Sequence, residues 1–329
     1  MQEILEGMSL LLPPEAGAIR KLEAGLAAML ENLGFEEVRL PVITSPGPND
    51  NGDSAAGPIK LALPGGMIGR LCSDMTEPCA RLAVRELAMR KRPLRLFYTG
   101  PVFREPSSRG SIAASRQEMQ LGAEIYGHDG LKAGLEAIGA AIGICRFAEE
   151  PVQFRIGDIA LLNELIDAAG IGADAGSSLK ASLIAHDISS AMTVLKQSGK
   201  RNAALKALRQ LIPANPAEIA MEALCGLAAE YPEIRLAEEA GRASMLLDGA
   251  SMVAKGVDIA FELGLLRPLN YYTGPVFEAY VNGYGKPLLG GGQYDGLMKA
   301  LGSDEGGIGF ALDLGMLMEI SSSKAGCSR

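Results

Sequence analysis

The sequence of 329 residues has no tryptophan, only two histidines and five cysteines, and aromatic residues make up 5% of it. The cysteines, Cys72, Cys79, Cys145, Cys225 and Cys327, are scattered and form no Cys-x-x-Cys pair. That pattern excludes a disulfide framework and, with so little histidine, a structural zinc site, so a reducing cytoplasm is the expected location. Long apolar runs are also missing. The opening MQEILEGMSLLLPPEAG carries an early acidic residue and reads as neither a secretory signal nor a membrane anchor. Positive charge is in deficit, with 31 Lys and Arg against 39 Asp and Glu for a net charge of -8. This argues against a broad electrostatic grip on DNA or RNA and leaves small anionic or zwitterionic ligands open. The most informative absence is local. GGIGFALDLGMLME, residues 306–319, reads as a glycine-rich strand running into a helix, a shape that often holds a nucleotide phosphate, yet it contains no Lys, Arg or His.

What is present is enough for a substantial core, with 48% hydrophobic and 21% charged residues. EAGAIRKLEAGLAAMLENLG places Ile19, Leu22, Leu26, Met29, Leu30 and Leu33 on one face and stops at Gly34, which predicts a helix. FEEVRLPVI reads as a strand, 45–58 as an exposed loop, and 59–63 and 68–72 as short strands before a helix from about Thr76 to Arg90. RLFYTGPVFR and RQEMQLGAEIYG read as antiparallel strands around a polar loop, with Asp129 capping a helix that runs to about Phe147. From about 158 to 263 the pattern is almost all helical. Strand character returns at NYYTGPVFEAYV and KPLLGGG, and the chain closes with a helix, the GGIGFAL strand and a last helix. The expected fold is therefore α+β: one antiparallel sheet domain over residues 1–329, flanked by helices and carrying a mainly helical insertion at about 160–250. A two-domain α+β chain is the alternative.

Three stretches concentrate polar groups. Asp74-Met75-Thr76 sits at a strand-to-helix junction, where a plain helix cap and a ligand contact are both open. In RQEMQLGAEIYG, Arg116, Glu118, Gln120 and Glu124 share one face, which fits either a wet cleft or a solvent-facing sheet side. The third stretch, RPLNYYTGPVFEAYVNGYGKPLLGGGQYDG, gathers Arg267, Tyr271, Tyr272, Tyr280, Tyr284 and Tyr294 beside glycines, as a ligand-gripping surface or as packed aromatic strands.

In order, these pieces resemble the catalytic core of histidyl-tRNA synthetase, a class II aminoacyl-tRNA synthetase. GFEEVRLPVI is similar to its motif 1, LFYTGPVFR through QLGAEIYG to motif 2, and GIGFALDLGML to motif 3, while RPLNYYTGPVFE and GGQYDGL resemble its histidine-specific segments. The resemblance implies an amino-acid pocket. Asp74, Thr76 and Gln120 would take the α-ammonium, and Glu124 and Tyr272 the imidazole nitrogens. Tyr294 would help close the pocket beside Tyr271, and Arg104 and Arg267 would face the carboxylate or an adenylate phosphate.

The departures from the synthetase pattern are equally specific. Its motif 3 arginine, which contacts the ATP triphosphate, falls on Met316, and its Glu-Arg pair on Gly315-Met316. Glu105-Pro106 and SSRGSIAAS replace the expected spaced Glu and basic loop, RPLNYY replaces RGLDYY at Pro268 and Asn270, and GGQYDG replaces GGRYDG at Gln293. Cys72-Ser73 stands for the usual Arg-Pro, and no anticodon-binding domain is expected after motif 3. A kept amino-acid pocket with a lost ATP grip resembles the histidyl-tRNA synthetase-like regulatory subunits of ATP phosphoribosyltransferase. That family implies no catalytic residue, metal or cofactor of the chain's own. Its implied partners are a short-form catalytic subunit, L-histidine as effector and a second copy through the motif 1 region, within a hetero-oligomer, and no tRNA or membrane. The alternatives are a stand-alone ligase that activates an amino acid with ATP and a scaffold with a vestigial pocket.

Overall fold

The computed structural model describes residues 7–8, 10–45, 59–104, 115–127, 130–200, 202–231, 234–267 and 271–326. The loop at 46–58, Glu105-Pro106, most of SSRGSIAAS, the Asp129 cap, Pro268 and Asn270 lie outside them. The chain divides into two compact units: Met1–Gly127 with Leu297–Arg329, and His128–Gly296.

Unit one opens with α1 (Glu15–Asn32), which buries Ile19, Leu26 and Leu30. It ends as the glycine predicts. Gly34 adopts φ +83°, its N–H reaches the Glu31 carbonyl at 2.9 Å, and the Phe35 N–H reaches Leu30 at 3.0 Å. The expected strand at 35–43 is instead two short pieces, β1 (Glu36–Glu37) and β2 (Ile43–Thr44), in different sheets. Between them Pro41 has no N–H to offer either ladder. Next come β3 (Lys60–Ala62), β4 (Ile68–Leu71) and α2 (Thr76–Arg85). Helix α2 stops five residues before the expected Arg90; Arg92 reaches back to the Ala83 carbonyl in its last turn at 3.4 Å and to the carbonyls of Leu87 (2.9 Å) and Arg90 (3.1 Å) beyond it. The long hairpin β5 (Leu94–Phe103) and β6 (Gln117–Tyr126) matches expectation.

Unit two holds α3 (Gly130–Cys145), β7 (Val152–Asp158), α4 (Ile159–Ala168), α5 (Ala173–Ile184), α6 (Ile188–Gln197), α7 (Ala203–Leu211), β8 (Asn215–Pro216), α8 (Ala217–Glu230), α9 (Ile234–Val253), β9 (Val257–Phe261), β10 (Pro275–Val281) and β11 (Leu289–Gln293). The chain then runs through α10 (Asp295–Ala300) into β12 (Gly307–Asp313) and α11 (Leu314–Gly326) of unit one. Three of these strands, β7, β8 and β9, are absent from the sequence expectation. β7 (VQFRIGD) carries the apolar/polar alternation of a strand, which was a usable signal, whereas β8 has two residues and β9 five, beside long helices that dominate the pattern.

In unit one the strand order is β1-β5-β6-β12, with β2-β4-β3 as a separate ribbon; in unit two it is β11-β10-β7-β9-β8. The sheet strands are not purely antiparallel, as the sequence led us to expect. β1 runs parallel to β5 and β7 parallel to β9. The second pair has a clear cause, since α4 to α9 form the long crossover that a parallel pair requires.

Candidate functional site

Unit one builds a buried polar chain from the β4–α2 corner to the middle of β6. Asp74 Oδ1 accepts the Thr76 N–H at 3.0 Å, a turn bond just ahead of the helix, while the N-cap position itself is Met75 and has no side-chain cap, so Asp74 is not a plain N-cap. The Thr76 hydroxyl bonds the Tyr98 phenol, and Tyr98 Oη donates to Glu124 Oε1 at 2.9 Å. Glu124 is 0% exposed, which rules out the solvent-facing reading of this strand face at its position. Glycines make the space. Gly309 of β12 stands opposite Glu124, and a Cβ there would fall 1.6 Å from Oε2; Gly122 stands opposite Tyr98, where a Cβ would fall 2.4 Å from the ring. Burial, then the Glu124 carboxylate, push the Tyr98 phenol and the Cys79 thiol upward, so both stay protonated beside it.

Gln120, two pleat repeats before Glu124 on β6 and 8% exposed, has a buried Oε1 with no donor among the described residues. An amide oxygen left this way is an acceptor suited to a ligand N–H, an ammonium above all. Arg104 is differently disposed from the expectation that it faces a ligand anion. Its Nε donates to the Ser73 carbonyl at 2.9 Å and its Nη1 pairs with Glu118 at 3.1 Å, with the side chain 42% exposed. Burial raises the Cys72 thiol to about 11, and its Sγ donates to the Asp74 carbonyl at 3.3 Å, which closes the corner.

Unit two gathers the tyrosines. Tyr271 packs edge-on to Tyr294 at 5.9 Å and tilts against Tyr272 at 4.8 Å, with Tyr271 and Tyr294 buried. Arg267 lies 5.9 Å from the Tyr272 ring and pairs with Glu278 at 2.9 Å. Gly292 clears room for Tyr272, since a Cβ there would fall 2.9 Å from Cδ1. Gln293 donates to Asp295 at 2.6 Å and keeps a buried Oε1 with no donor among the described residues.

Tyr98, Glu278, Arg155 and Glu262 are polar members of these clusters that sequence reasoning missed. A usable signal existed for Glu278, which sits two residues from Tyr280 and so shares its strand face.

At motif 3, Met316 is 4% exposed in the first turn of α11, where Asp313 Oδ1 accepts its N–H at 3.0 Å. The strand-to-helix corner is capped by a carboxylate and packed with a thioether, a poor place for a phosphate. Among the described residues no group of three or more His, Cys, Asp or Glu side chains is placed to hold a metal ion. Nor is any described helix long and apolar enough to cross a membrane.

The family profile described as Histidyl-tRNA synthetase matches residues 7–317. An ATP phosphoribosyltransferase regulatory subunit from Moorella thermoacetica is 31% identical over 325 residues, covering 95% of this chain and 80% of that protein. One of the same name from Symbiobacterium thermophilum is 33% identical, covering 96% and 79%. Among solved structures, an ATP phosphoribosyltransferase regulatory subunit/histidyl-tRNA synthetase from Bacillus halodurans superposes with a TM-score of 0.84 at 24% identity, over 97% of this chain and 83% of that one. A histidyl-tRNA synthetase from Nostoc gives 0.78 at 19%, over 99% and 76%. With the class II synthetase fold in place and these relatives matched over most of their length, the chain belongs to the histidyl-tRNA synthetase-like family of ATP phosphoribosyltransferase regulatory subunits.

Proposed function

We propose that this chain is a non-catalytic subunit that joins a short-form ATP phosphoribosyltransferase for the first step of histidine biosynthesis, and that L-histidine is its feedback effector. The observation that carries the non-catalytic reading is Met316, buried and neutral where an active synthetase needs a cation on the triphosphate. Loss of such a charge from the reacting complex removes transition-state stabilisation that no neighbouring residue of the GGIGFALDLGMLME stretch replaces.

The histidine reading is supported by the donor and acceptor types present. In unit one, Asp74, Thr76 and Gln120 would meet the ammonium and Glu124 an imidazole N–H. Arg104 would reach the carboxylate by leaving Glu118, an exchange that costs little at a half-exposed pair. Exposed apolar side chains of unit one, Leu33, Val42, Ile43, Met67 and Ile68, lie on and around β2 and β4 and support a second copy seated there. Inhibition follows if histidine binds one state of the assembly better than the other, with the ratio of affinities setting how far activity falls.

Two measurements on the purified chain test this. Calorimetry with L-histidine is expected to give a saturable heat that Glu124→Ala abolishes, while ATP–pyrophosphate exchange stays at background with every amino acid. Exchange above background would establish the ligase instead, and no heat either alone or with the short transferase would leave a scaffold.

A further inference from the structure

In unit one the head of α11 is set beside Gln120. On β6, Gln120 stands directly opposite Gly100 of β5 on one side and Asp313 of β12 on the other. Residues opposite one another in an antiparallel ladder share a face of the sheet, with Cβ atoms about 5 Å apart. The space over Gly100 is taken by Met75, since a Cβ at position 100 would fall 2.4 Å from Met75 Cε. Met75 lies between Asp74 and Thr76, so the β4–α2 corner packs over the strand position next to Gln120. On the other side, Asp313 is the last residue of β12, and its Oδ1 accepts the Met316 N–H at 3.0 Å in the first turn of α11. A helix start favours an anion. Here the anion is the chain's own carboxylate. Gln120, more than nine-tenths buried, offers its Oε1 with no donor among the described residues. A buried amide oxygen in that state calls for a ligand N–H, and a carboxylate across the ladder favours one that carries positive charge.

We propose that Asp313 is a specificity-determining residue, whose charge favours an α-ammonium at the Gln120 oxygen and disfavours an anion there. The proposal rests on histidine being the effector, bound through the acceptors of unit one. The attraction acts between whole charges a few ångströms apart, so it leaves the bond to Met316 in place. A neutral cap would hold α11 about as well and would lack the attraction, because Asn and Asp are nearly equal at a helix start.

The test is calorimetry of the full chain with L-histidine and with imidazolepropionate, which keeps the imidazole and the carboxylate and lacks the ammonium; binding too weak for direct heats is read by displacement of histidine. Asp313→Asn keeps a cap and removes the charge. It is expected to weaken histidine about tenfold while imidazolepropionate is unchanged or tighter. Where imidazolepropionate is too weak to read, the pH profile decides: histidine affinity should fall as its ammonium loses the proton, and by a smaller factor in Asp313→Asn than in the wild type. Asp313→Ser, a second neutral cap, carries the test if Asp313→Asn does not fold, as judged by circular dichroism. Folded variants that weaken both ligands equally, that change neither, or that keep the wild-type pH profile overturn the role of Asp313 while leaving histidine as the effector. A wild-type chain that takes up no histidine, alone or with the short transferase, overturns the effector reading, and this one with it.

Discussion

Glu124 shows how a single carboxylate is made usable inside a sheet. Its burial is complete, its Oε1 is held by Tyr98, and its Oε2 lies where any side chain at position 309 would stand. Gly309→Ala is therefore expected to force the carboxylate aside, costing about 1–3 kcal/mol of stability as an overpacked core site and weakening histidine binding at the same time. Urea unfolding and calorimetry on the same sample check the two effects together, and unchanged affinity would detach Glu124 from the ligand. Met316 gives the opposite kind of prediction. Met316→Arg restores the residue type of a synthetase, yet it places a charge in a 4% exposed position beside the first turn of α11. It should lower stability by about 3–5 kcal/mol and produce no pyrophosphate exchange. At this scale the sequence was readable where a residue type stood out against a resemblance, as with Met316 and Glu124. It was silent on Tyr98, whose role arises from cross-strand neighbours that a linear reading does not contain.

At the scale of elements, the β4–α2 corner decides whether Asp74 and Thr76 are presented at all. A cluster around the buried Arg70–Glu77 pair holds it: Arg70 on β4 bonds Thr44 of β2 through Nε at 3.0 Å and Glu77 of α2 through Nη2 at 2.7 Å, and Arg81 takes the other Glu77 oxygen at 2.7 Å. Arg70→Met leaves Glu77 with one partner in place of two inside a nearly closed site. The expected loss is about 3 kcal/mol, with weaker histidine binding because the corner carrying Asp74 loosens; a melting curve and a histidine titration measure both. The elements themselves were mostly legible. The α1 stop at Gly34, the β5–β6 hairpin and the β12–α11 junction follow from periodicity and glycine placement. What was lost had a physical cause in each case. The last turn of α2 meets the Arg92 guanidinium, which comes from beyond the helix, and β7 pairs parallel with β9 across the helical crossover, a partnership that neither strand's own residues specify.

For the molecule as a whole, the fold of a synthetase is retained, and relatives that match it over most of their length carry the name of regulatory subunits. On the proposed function, the glycine-rich stretch that lacks a cation has a consequence far from the residue scale: the frame would hold an effector without consuming ATP. Regulation requires that the effector and the partner enzyme act on one equilibrium, so the effect must be reciprocal, with the partner changing histidine affinity by the same factor by which histidine changes assembly. The most direct measurement is the phosphoribosyltransferase rate of a purified short-form catalytic subunit as this chain is titrated in, with and without L-histidine. The account predicts a rate that rises to a plateau with the added chain and falls as histidine is raised. A rate indifferent to the chain, or a stimulated rate that histidine leaves unchanged, would contradict it.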